Sequence, residues 1–417
     1  MEDERHLKHR IAEPQRKQGV FRYEIPEDAL DATHPARVLW EVTGTLELSR
    51  FLDGAKAVEG AVGRKTLSPR MKLTLWLYAI SQGIGSAREI ARRVHTDDAF
   101  RWIVGDLSVG HHTLSGFRVD HGDALDQLMT DILASLMHKG VLSLELVAQD
   151  GMRVRADATA PSFRAYGSLL ECREQAALHL KAVLAQADDP ELTRAQHAAR
   201  EAKARDFQRR VEEAITTVEE LQKTRKPSDK PARASTTDAE ARVMKMADGG
   251  FRPAYNVQMA TAGSPMGGAR TIVGVRVTNV GSDMGAVPPM LDDIERRTGQ
   301  LPTVLLADAN HASHDAIRDA AARGVEALIA VPERSKQGGP QAATDDAVVA
   351  WRARMETPEA QQLYRARASL CELMNAHART HHGLDHFLVR GLKKVTCVVL
   401  LTVLTSNLLQ HAAALLS

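Results

Sequence analysis

A chain of 417 residues is too long for one ordinary hydrophobic core and predicts two or three domains. Its 54 Lys and Arg residues nearly balance 53 Asp and Glu residues, so a nucleic-acid surface requires local segregation of charge instead of a basic chain. Hydrophobic residues make up 44% and aromatic residues 4% of the sequence, which disfavours both a disordered chain and an aromatic platform that stacks single-stranded bases.

The cysteines and the N-terminus favour a cytoplasmic protein without a membrane segment. Cys172, Cys371 and Cys397 lie far apart and lack C-x-x-C spacing, so neither a disulfide framework nor a zinc site is indicated. The N-terminus is charged where a signal peptide is apolar. The apolar stretch at 395–404 falls well short of the roughly 20 residues that span a bilayer, and it predicts a buried C-terminal helix.

Residues 36–139 show the apolar spacing of three and four that predicts helices, and residues 1–35 form a predicted N-terminal arm. Ser86 is placed to cap a short helix, and a second helix carrying Arg118 follows after a glycine-containing connection. Two helices joined in this way are compatible with a helix-turn-helix that binds DNA. An ordinary helical bundle with solvated arginines fits the same pattern.

From Val141 the apolar period changes to two, which predicts a strand, a tight turn at Asp150-Gly151 and a second strand. Further strands are predicted at 255–260, 271–280, 303–307 and 327–332, with helices between the last three. Asp283 is placed to cap the first of these helices. Residues 140–417 are therefore predicted to form an α/β domain with a mixed sheet covered by helices on both faces.

Residues 161–240 interrupt this domain as a predicted helical insertion with a polar linker. Two long, Ala-rich and charged helices near 169–187 and 191–223 predict an antiparallel pair. The second helix carries an apolar stripe of Val211, Ile215, Val218 and Leu221. Residues 224–238 combine Pro, Ser and basic residues and predict a mobile linker. The helical pair is either a surface for DNA or another subunit, or only a solvated arm.

Three acids stand at positions suited to a metal site. Asp150 follows an apolar strand, and Asp308 follows the buried strand VLLA at the edge where α/β sheets place their sites. A third acid comes from the helix that begins near Pro358. At about 100° per residue, one arc of roughly 140° on this helix holds four polar side chains: Tyr364, Arg367, Glu372 and Arg379.

Acids from different elements suit the cutting and joining of phosphodiesters. Both reactions need an activated oxygen nucleophile and neutralisation of charge on the phosphate, and two Mg²⁺ ions held by carboxylates meet both needs, with Mn²⁺ as a substitute. Each acid also has a plainer interpretation. Asp150 fits a hairpin turn, Asp308 fits an Asx-turn before a helix, and Glu372 fits a solvated surface residue.

Several runs of the sequence resemble the successive blocks of bacterial insertion-sequence transposases of the Asp-Asp-Glu (DDE) type: AQDGMRVRADA, FRPAYNVQMATA, LLADANHAS, YRARASLCE, RGLKKV and a final SNLL. The resemblance spans most of the chain. It implies an RNase H-like, integrase-like α/β catalytic domain, with a five-stranded mixed sheet flanked by helices, an all-α N-terminal domain and a helical insertion. It also implies that Asp150, Asp308 and Glu372 are the catalytic, metal-binding acids.

The related group's Tyr-Arg-Glu-Lys signature falls on Tyr364, Arg367, Glu372 and Arg379, which implies that Tyr364, Arg367 and Arg379 bind DNA phosphates. Arg379 stands where the group often has Lys, which keeps the charge but changes a point contact to a fork. The interval from Arg367 to Glu372 is one residue longer than in the best-known signature. The segment after Glu372 lacks the Pro and Phe that many relatives place there.

The expected function is therefore transposition of double-stranded DNA, acting on the terminal inverted repeats of an element and on target DNA, with a homodimer implied by the family. An inactive or domesticated DNA-binding relative is one alternative, and a metal-dependent nuclease without strand transfer is another.

Two further groups of side chains are assigned no catalytic role. Four histidines between 377 and 386 form a local cluster without a zinc-type spacing, and they are interpreted as surface or DNA-facing residues. Asn256 and Gln258 lie on one face of a predicted strand, where they are expected to satisfy neighbouring backbone groups.

Overall fold

The computed structural model describes residues 25–53, 66–105, 107–186, 192–226, 230–332 and 345–417. Most of the predicted N-terminal arm lies outside these residues. As predicted, the part before residue 140 is helical: α1 (Pro35–Gly44), α2 (Pro69–Ser81), α3 (Ala87–Arg93), α4 (Asp98–Val104), α5 (His111–Asp120) and α6 (Gly122–His138).

Helix α2 is the centre of this helical part. Every residue from Met71 to Ile80 is buried, as expected for a helix that is surrounded on all sides. The indole nitrogen of Trp76 donates to the carbonyl oxygen of Leu114 at 3.0 Å, so the one polar atom of this fully buried side chain is satisfied.

Helices α3 and α5 do not form the predicted two-helix unit, because α4 lies between them in the chain. Ser86 does cap α3, where its hydroxyl accepts from the backbone of Glu89. Arg118 is only 5% exposed, donates to the carbonyl oxygen of Gly85 at 2.6 Å and lies over the ring of Trp76. Burial lowers its pKa to about 10. Arg118 therefore holds the bundle together and is not presented to DNA.

The rest of the chain builds a mixed α/β fold with eight described strands: β1 (Leu146–Arg155), β2 (Phe163–Ala165), β3 (Arg233–Ser235), β4 (Arg242–Lys245), β5 (Phe251–Ala262), β6 (Thr271–Thr278), β7 (Val304–Ala307) and β8 (Glu326–Ile329). Strand β1 lies inside the main sheet, antiparallel to β5 and parallel to β7, and β8 continues the parallel side. Strands β4 and β6 both pair antiparallel with β5. Among the described residues the main sheet thus has six strands instead of the expected five, because β4 is too short and polar to show an apolar period.

The predicted turn at Asp150-Gly151 is wrong, since β1 runs through it without a break. Asp150 pairs with Met259 and Gly151 with Gln258 on the neighbouring strand. An Asp-Gly doublet favours a turn only when nothing else fixes the backbone. Here nine consecutive pairs with β5 keep it extended.

The insertion folds around a small core of its own. Helices α7 (Tyr166–Ala185) and α8 (Arg194–Thr224) pack together, and β2 pairs antiparallel with β3 at their base. Three of the four residues of the predicted stripe on α8 are buried, and Leu221 packs against them. The predicted mobile linker is wrong where the structure describes it, because β3 forms there and Ala232 and Ala234 are buried. Residues 227–229 of that linker lie outside the described residues.

The described residues after β6 form six α-helices: α9 (Val287–Thr298), α10 (His314–Ala322), α11 (Asp346–Met355), α12 (Pro358–Tyr364), α13 (Leu373–Thr380) and α14 (Leu392–Leu416). By length and composition, α14 is the one described helix that is apolar enough to cross a membrane, but 67% of its most apolar window is buried inside the protein. It packs against α1, α2, α5, α6 and β6, so one hydrophobic core continues from the helical part into the sheet. The predicted buried C-terminal helix is confirmed.

Asn407 joins α14 to the edge of the sheet. Its side-chain oxygen accepts from the backbone N–H of Ile272, and its amide donates to the carbonyl oxygen of the same residue, both at 2.9 Å. These two bonds satisfy backbone groups that β6 presents on the side away from β5. Asn407 therefore closes an edge that is buried and would otherwise lack partners.

We predict that Asn407→Leu destabilises the protein by about 2–4 kcal/mol, because it leaves two buried backbone groups of Ile272 unpaired. The measurement is the midpoint of urea unfolding. Thr405→Val is the matched control, since Thr405 is equally buried on α14 but bonds only to a carbonyl of its own helix. Equal destabilisation by both variants would show that the Asn407 bonds carry no special weight.

Candidate active site

The parallel pairing of β1 with β7 brings Asp150 and Asp308 to one level of the sheet. Ala148 pairs with Leu306, and each aspartate lies two residues further along its strand direction. A step of two residues keeps a side chain on the same face. Asp308 directly follows β7 and caps the short turn Ala309–His311 by accepting from the backbone of Asn310 at 3.0 Å.

The pKa values of the two carboxylates are shifted in opposite directions. Burial, followed by the charge of Asp308, raises the pKa of Asp150 above its ordinary value. Burial alone would raise the pKa of Asp308 as well, but hydrogen bonds from His311 and Asn310 outweigh it, and the pKa lies below its ordinary value. The site therefore concentrates negative charge, which favours a bound cation.

The third predicted acid lies on a helical run that is not one regular α-helix. Between α12 and α13, residues Ala368–Glu372 form a π-helical turn, in which hydrogen bonds join residues five apart. Arg367 and Glu372 are five residues apart and form an ion pair across this turn. The regular arc predicted at 100° per residue is therefore wrong, and the π-turn absorbs the extra residue of the Arg-to-Glu interval.

Contacts from the loop between β5 and β6 support the π-turn. The guanidinium of Arg270 donates to the carbonyl oxygen of Ser369 at 2.6 Å. A side chain at Gly263 would place its first carbon 2.7 Å from the side chain of Leu370, so the backbone approaches this turn more closely than any other residue allows. This π-helical turn is supported by tertiary packing, which its own sequence does not reveal.

A cavity of about 960 Å³ lies over the sheet edge, and its lining includes Asp150, Glu372, Asn375 and Arg379. Asn375 donates to Asp150 at 3.0 Å, one helical turn beyond Glu372. Glu372 itself is half exposed and remains paired with Arg367. Within the described ranges, no three His, Cys, Asp or Glu side chains converge closely enough to hold a metal ion. The structure thus sets Asp150 and Asp308 on neighbouring strands, and it places Asp150 and Glu372 on one cavity that Asn310, and not Asp308 itself, helps to line.

Of the other predicted site residues, Arg379 lines this cavity, whereas Tyr364 and Arg367 lie outside its lining. The hydroxyl of Tyr364 donates to the carbonyl oxygen of Ala307 at 3.2 Å and so ties α12 to the end of β7, directly before Asp308. Burial raises the pKa of Tyr364. Arg367 lies 5.8 Å from the Tyr364 ring, and Arg379 donates to the carbonyl oxygen of Arg153 at 3.2 Å. Both arginines therefore have protein partners in this state.

Sequence reasoning missed a buried polar network beneath the aspartates. Asn256 and Gln258 both donate to Asp283, at 2.8 and 2.7 Å, and Arg153 donates to its other oxygen at 2.7 Å. Asp283 is 3% exposed and does not cap α9, which begins without a side-chain cap. In the sequence, the one feature that could have indicated this network is Gly151. A Cβ atom at this position would lie 2.2 Å from the side-chain amide of Gln258, so only glycine leaves room for the network.

The histidine cluster between residues 377 and 386 includes one buried member, His382. His382 is 5% exposed, and burial lowers its pKa to about 4. Its ring lies edge-on to that of His377 at 4.7 Å. The interpretation of these histidines as surface or DNA-facing is therefore wrong for His382.

Two sequence families match parts of the chain. The family described as "Transposase DDE domain" matches residues 311–412, and the family described as "Transposase domain (DUF772)" matches residues 25–120. No curated protein and no solved structure matches the chain. Both the helical part and the part that carries Glu372 thus match transposases, which are enzymes that act on DNA. More particularly, the two matches support an insertion-sequence transposase of the DDE type.

We predict that Asp150→Asn raises the melting temperature of the metal-free protein by about 1–3 °C, because it removes a buried charge that faces another. A raised pKa means that the folded state binds the proton more tightly, so this gain is present at neutral pH and disappears as pH falls through the pKa of Asp150. Thermal unfolding at several pH values measures it.

Asp308→Asn is the matched control with the opposite sign. Its lowered pKa means that the ionised form stabilises the fold above the unfolded-state pKa, so neutralisation lowers the melting temperature at neutral pH. A change of the same sign in both variants would contradict the proposed division of charge between the two aspartates.

Proposed function

We propose that this transposase cuts and joins DNA strands with Asp150, Asp308 and Glu372 as its catalytic acids, in an RNase H-like domain that holds two divalent ions, Mg²⁺ or Mn²⁺. The observation that carries the proposal is the parallel register that sets Asp150 and Asp308 at one level of the sheet edge. The strand order β6-β5-β1-β7-β8, antiparallel on one side of β1 and parallel on the other, supports an RNase H-like core.

The residues at this edge fit a hard divalent cation. Carboxylate oxygens are the ligands that Mg²⁺ prefers, and it takes few of them, leaving its other positions to water and phosphate oxygens. The mutual repulsion of Asp150 and Asp308 is the electrostatic condition that a cation relieves. When bound, the ions activate the attacking oxygen and neutralise the charge that develops on the phosphate.

The neighbouring side chains hold the acids in place. Asn375 fixes one oxygen of Asp150, and the backbone N–H of Gly151 fixes the other at 2.9 Å. Glu372 lies one turn before Asn375 on the same helical run, so a change of its side-chain rotamer brings it toward Asp150. That change separates Glu372 from Arg367, and it leaves Arg367 free to bind a DNA phosphate at the moment when the site is completed.

DNA approaches over the cavity. Arg379 and Lys245 stand on its lining beside the acids, and they provide the local positive charge that a chain of net charge +1 lacks as a whole. In this proposal residues 36–139 bind the ends of the element, and residues 140–417, interrupted by 161–240, carry out catalysis. The protein acts in the cytoplasm as a homodimer that brings two DNA ends together, with Tyr364, Arg367 and Arg379 at the phosphates.

The test is cleavage and joining of DNA that carries the element's ends, with the purified full chain and Mg²⁺ or Mn²⁺. We expect Asp150→Ala, Asp308→Ala and Glu372→Gln each to lower the cleavage rate by at least about 100-fold, since each removes a carboxylate that would bind the ions. Glu359→Gln is the control, because Glu359 is exposed on the preceding helix α12 and does not line the cavity.

Unaltered cleavage in the two aspartate variants would refute the assignment of the site. Loss of cleavage in these variants but not in Glu372→Gln would remove Glu372 alone. Cleaved DNA without joined products, in wild type, would favour a nuclease over a strand-transfer enzyme.

A further inference from the structure

A fully buried histidine connects Asp308 to the polar network beneath the sheet. His311 is 0% exposed, yet both of its ring nitrogens have partners. Nδ1 lies 2.6 Å from Oδ1 of Asp308, and Nε2 lies 3.1 Å from Oε1 of Gln258. A buried imidazole held at both nitrogens has one orientation only, so it transmits the position of Gln258 to Asp308.

The direction of these hydrogen bonds follows from Asp283 at the far end of the network. The carboxylate of Asp283 only accepts, so Gln258 must present its NH₂ group to it, at 2.7 Å. The amide oxygen of Gln258 then faces His311. That oxygen and the carboxylate of Asp308 both accept, so both ring nitrogens of His311 must carry a proton: Nε2 donates to Gln258 and Nδ1 donates to Asp308.

The two oxygens of Asp308 are consequently different. Oδ1 accepts from buried His311 and from the backbone N–H of Asn310, and neither donor is free to leave. Oδ2 accepts only from the side chain of Asn310, at 2.9 Å, and that side chain is exposed. Because the Asn310 side chain is exposed, water or another ligand can readily replace its hydrogen bond to Oδ2. Oδ2 is therefore the oxygen that Asp308 can offer to an incoming cation.

We propose that His311 is a positioning residue for the metal site: through Nδ1 it holds Oδ1 of Asp308, and anchored through Nε2 to Gln258 and Asp283 it presents Oδ2 to a divalent ion. This inference rests on the proposed function, because it assumes that Asp308 is a metal ligand. A group that orients a ligand without touching the metal changes affinity for the metal by about 10–100-fold when it is removed.

Two substitutions separate the two nitrogens of His311. In His311→Asn the side-chain amide nitrogen takes the place of Nδ1, so the bond to Asp308 is kept and the bond to Gln258 is lost. In His311→Gln the amide nitrogen reaches the place of Nε2, so Gln258 keeps its partner and Asp308 loses its own. Both variants remove the ring, so they affect packing in a similar way.

The experiment measures Mn²⁺ binding to the full chain by titration calorimetry, together with the Mn²⁺ concentration that gives half-maximal DNA cleavage. We expect His311→Gln to weaken Mn²⁺ binding about 10–100-fold, with the maximal cleavage rate largely restored at high Mn²⁺, and His311→Asn to stay within about threefold of wild type. Asn310→Ala is the control and should not weaken binding, since it only uncovers Oδ2. If His311→Gln does not fold, His311→Leu replaces it, because it likewise removes the donor to Oδ1 of Asp308 and should weaken binding in the same direction.

The positioning role would be overturned if His311→Asn and His311→Gln had equal Mn²⁺ affinity, whether both match wild type or both fall by the same factor. If His311 were purely structural, it would not matter which of its two nitrogen positions the substitution keeps. Asp308→Asn is the reference for the proposed function. If Asp308→Asn binds Mn²⁺ as wild type does, Asp308 is not a ligand, and both the proposed site and this inference fail. If it loses binding while the two His311 variants do not differ, only the inference fails.

Discussion

The short parallel pairing between β1 and β7 is the contact on which the site depends. Only three residue pairs form it, at Leu146–Ala148 and Val304–Leu306, yet it sets the level at which Asp150 and Asp308 emerge. Strand β1 extends beyond this pairing and is held on its other side by β5. A slip of one residue would turn one aspartate to the opposite face, so the apolar residues that precede both acids protect the chemistry as well as the fold.

Two neighbouring carboxylates, Asp150 and Asp308, lie partly buried at the sheet edge, which is electrostatically unfavourable. The buried polar network that includes His311 stabilises the charge of Asp308. For Asp150, burial and the charge of Asp308 outweigh the hydrogen bonds from Gly151 and Asn375, whereas Asp308 has His311, which a second buried carboxylate orients through Gln258. The two acids are thus unequal although the sheet places them at equivalent positions. The negative charge of Asp308 is stabilised by the surrounding protein, whereas that of Asp150 is not fully compensated. A bound cation therefore stabilises Asp150 the most.

The local sequence pattern predicted those features of the structure that depend on local interactions, and it failed for those that depend on contacts between distant segments. Apolar periodicity located the helices, the stripe on α8 and the buried strand before Asp308, because each follows from the face that the element buries. It misjudged Asp150-Gly151, whose extended backbone depends on pairing with a strand about a hundred residues away. It likewise gave Arg118 to the second helix of a possible helix-turn-helix, although an aromatic ring and a carbonyl from other segments enclose this side chain. The π-turn and the role of Asn375 depend on tertiary contacts and leave no periodic trace.

The π-turn at Ala368–Glu372 has a consequence for how such chains diverge. A wider turn accommodates one extra codon inside a helix without rotating everything downstream, so the acid on its far side keeps its orientation toward the sheet while the gene grows by three bases. Spacing between an arginine and its acid is then a variable that selection can alter in single steps. A pattern with a fixed interval would pass over such sequences, although their acid still lines the cavity over the sheet edge, as Glu372 does here.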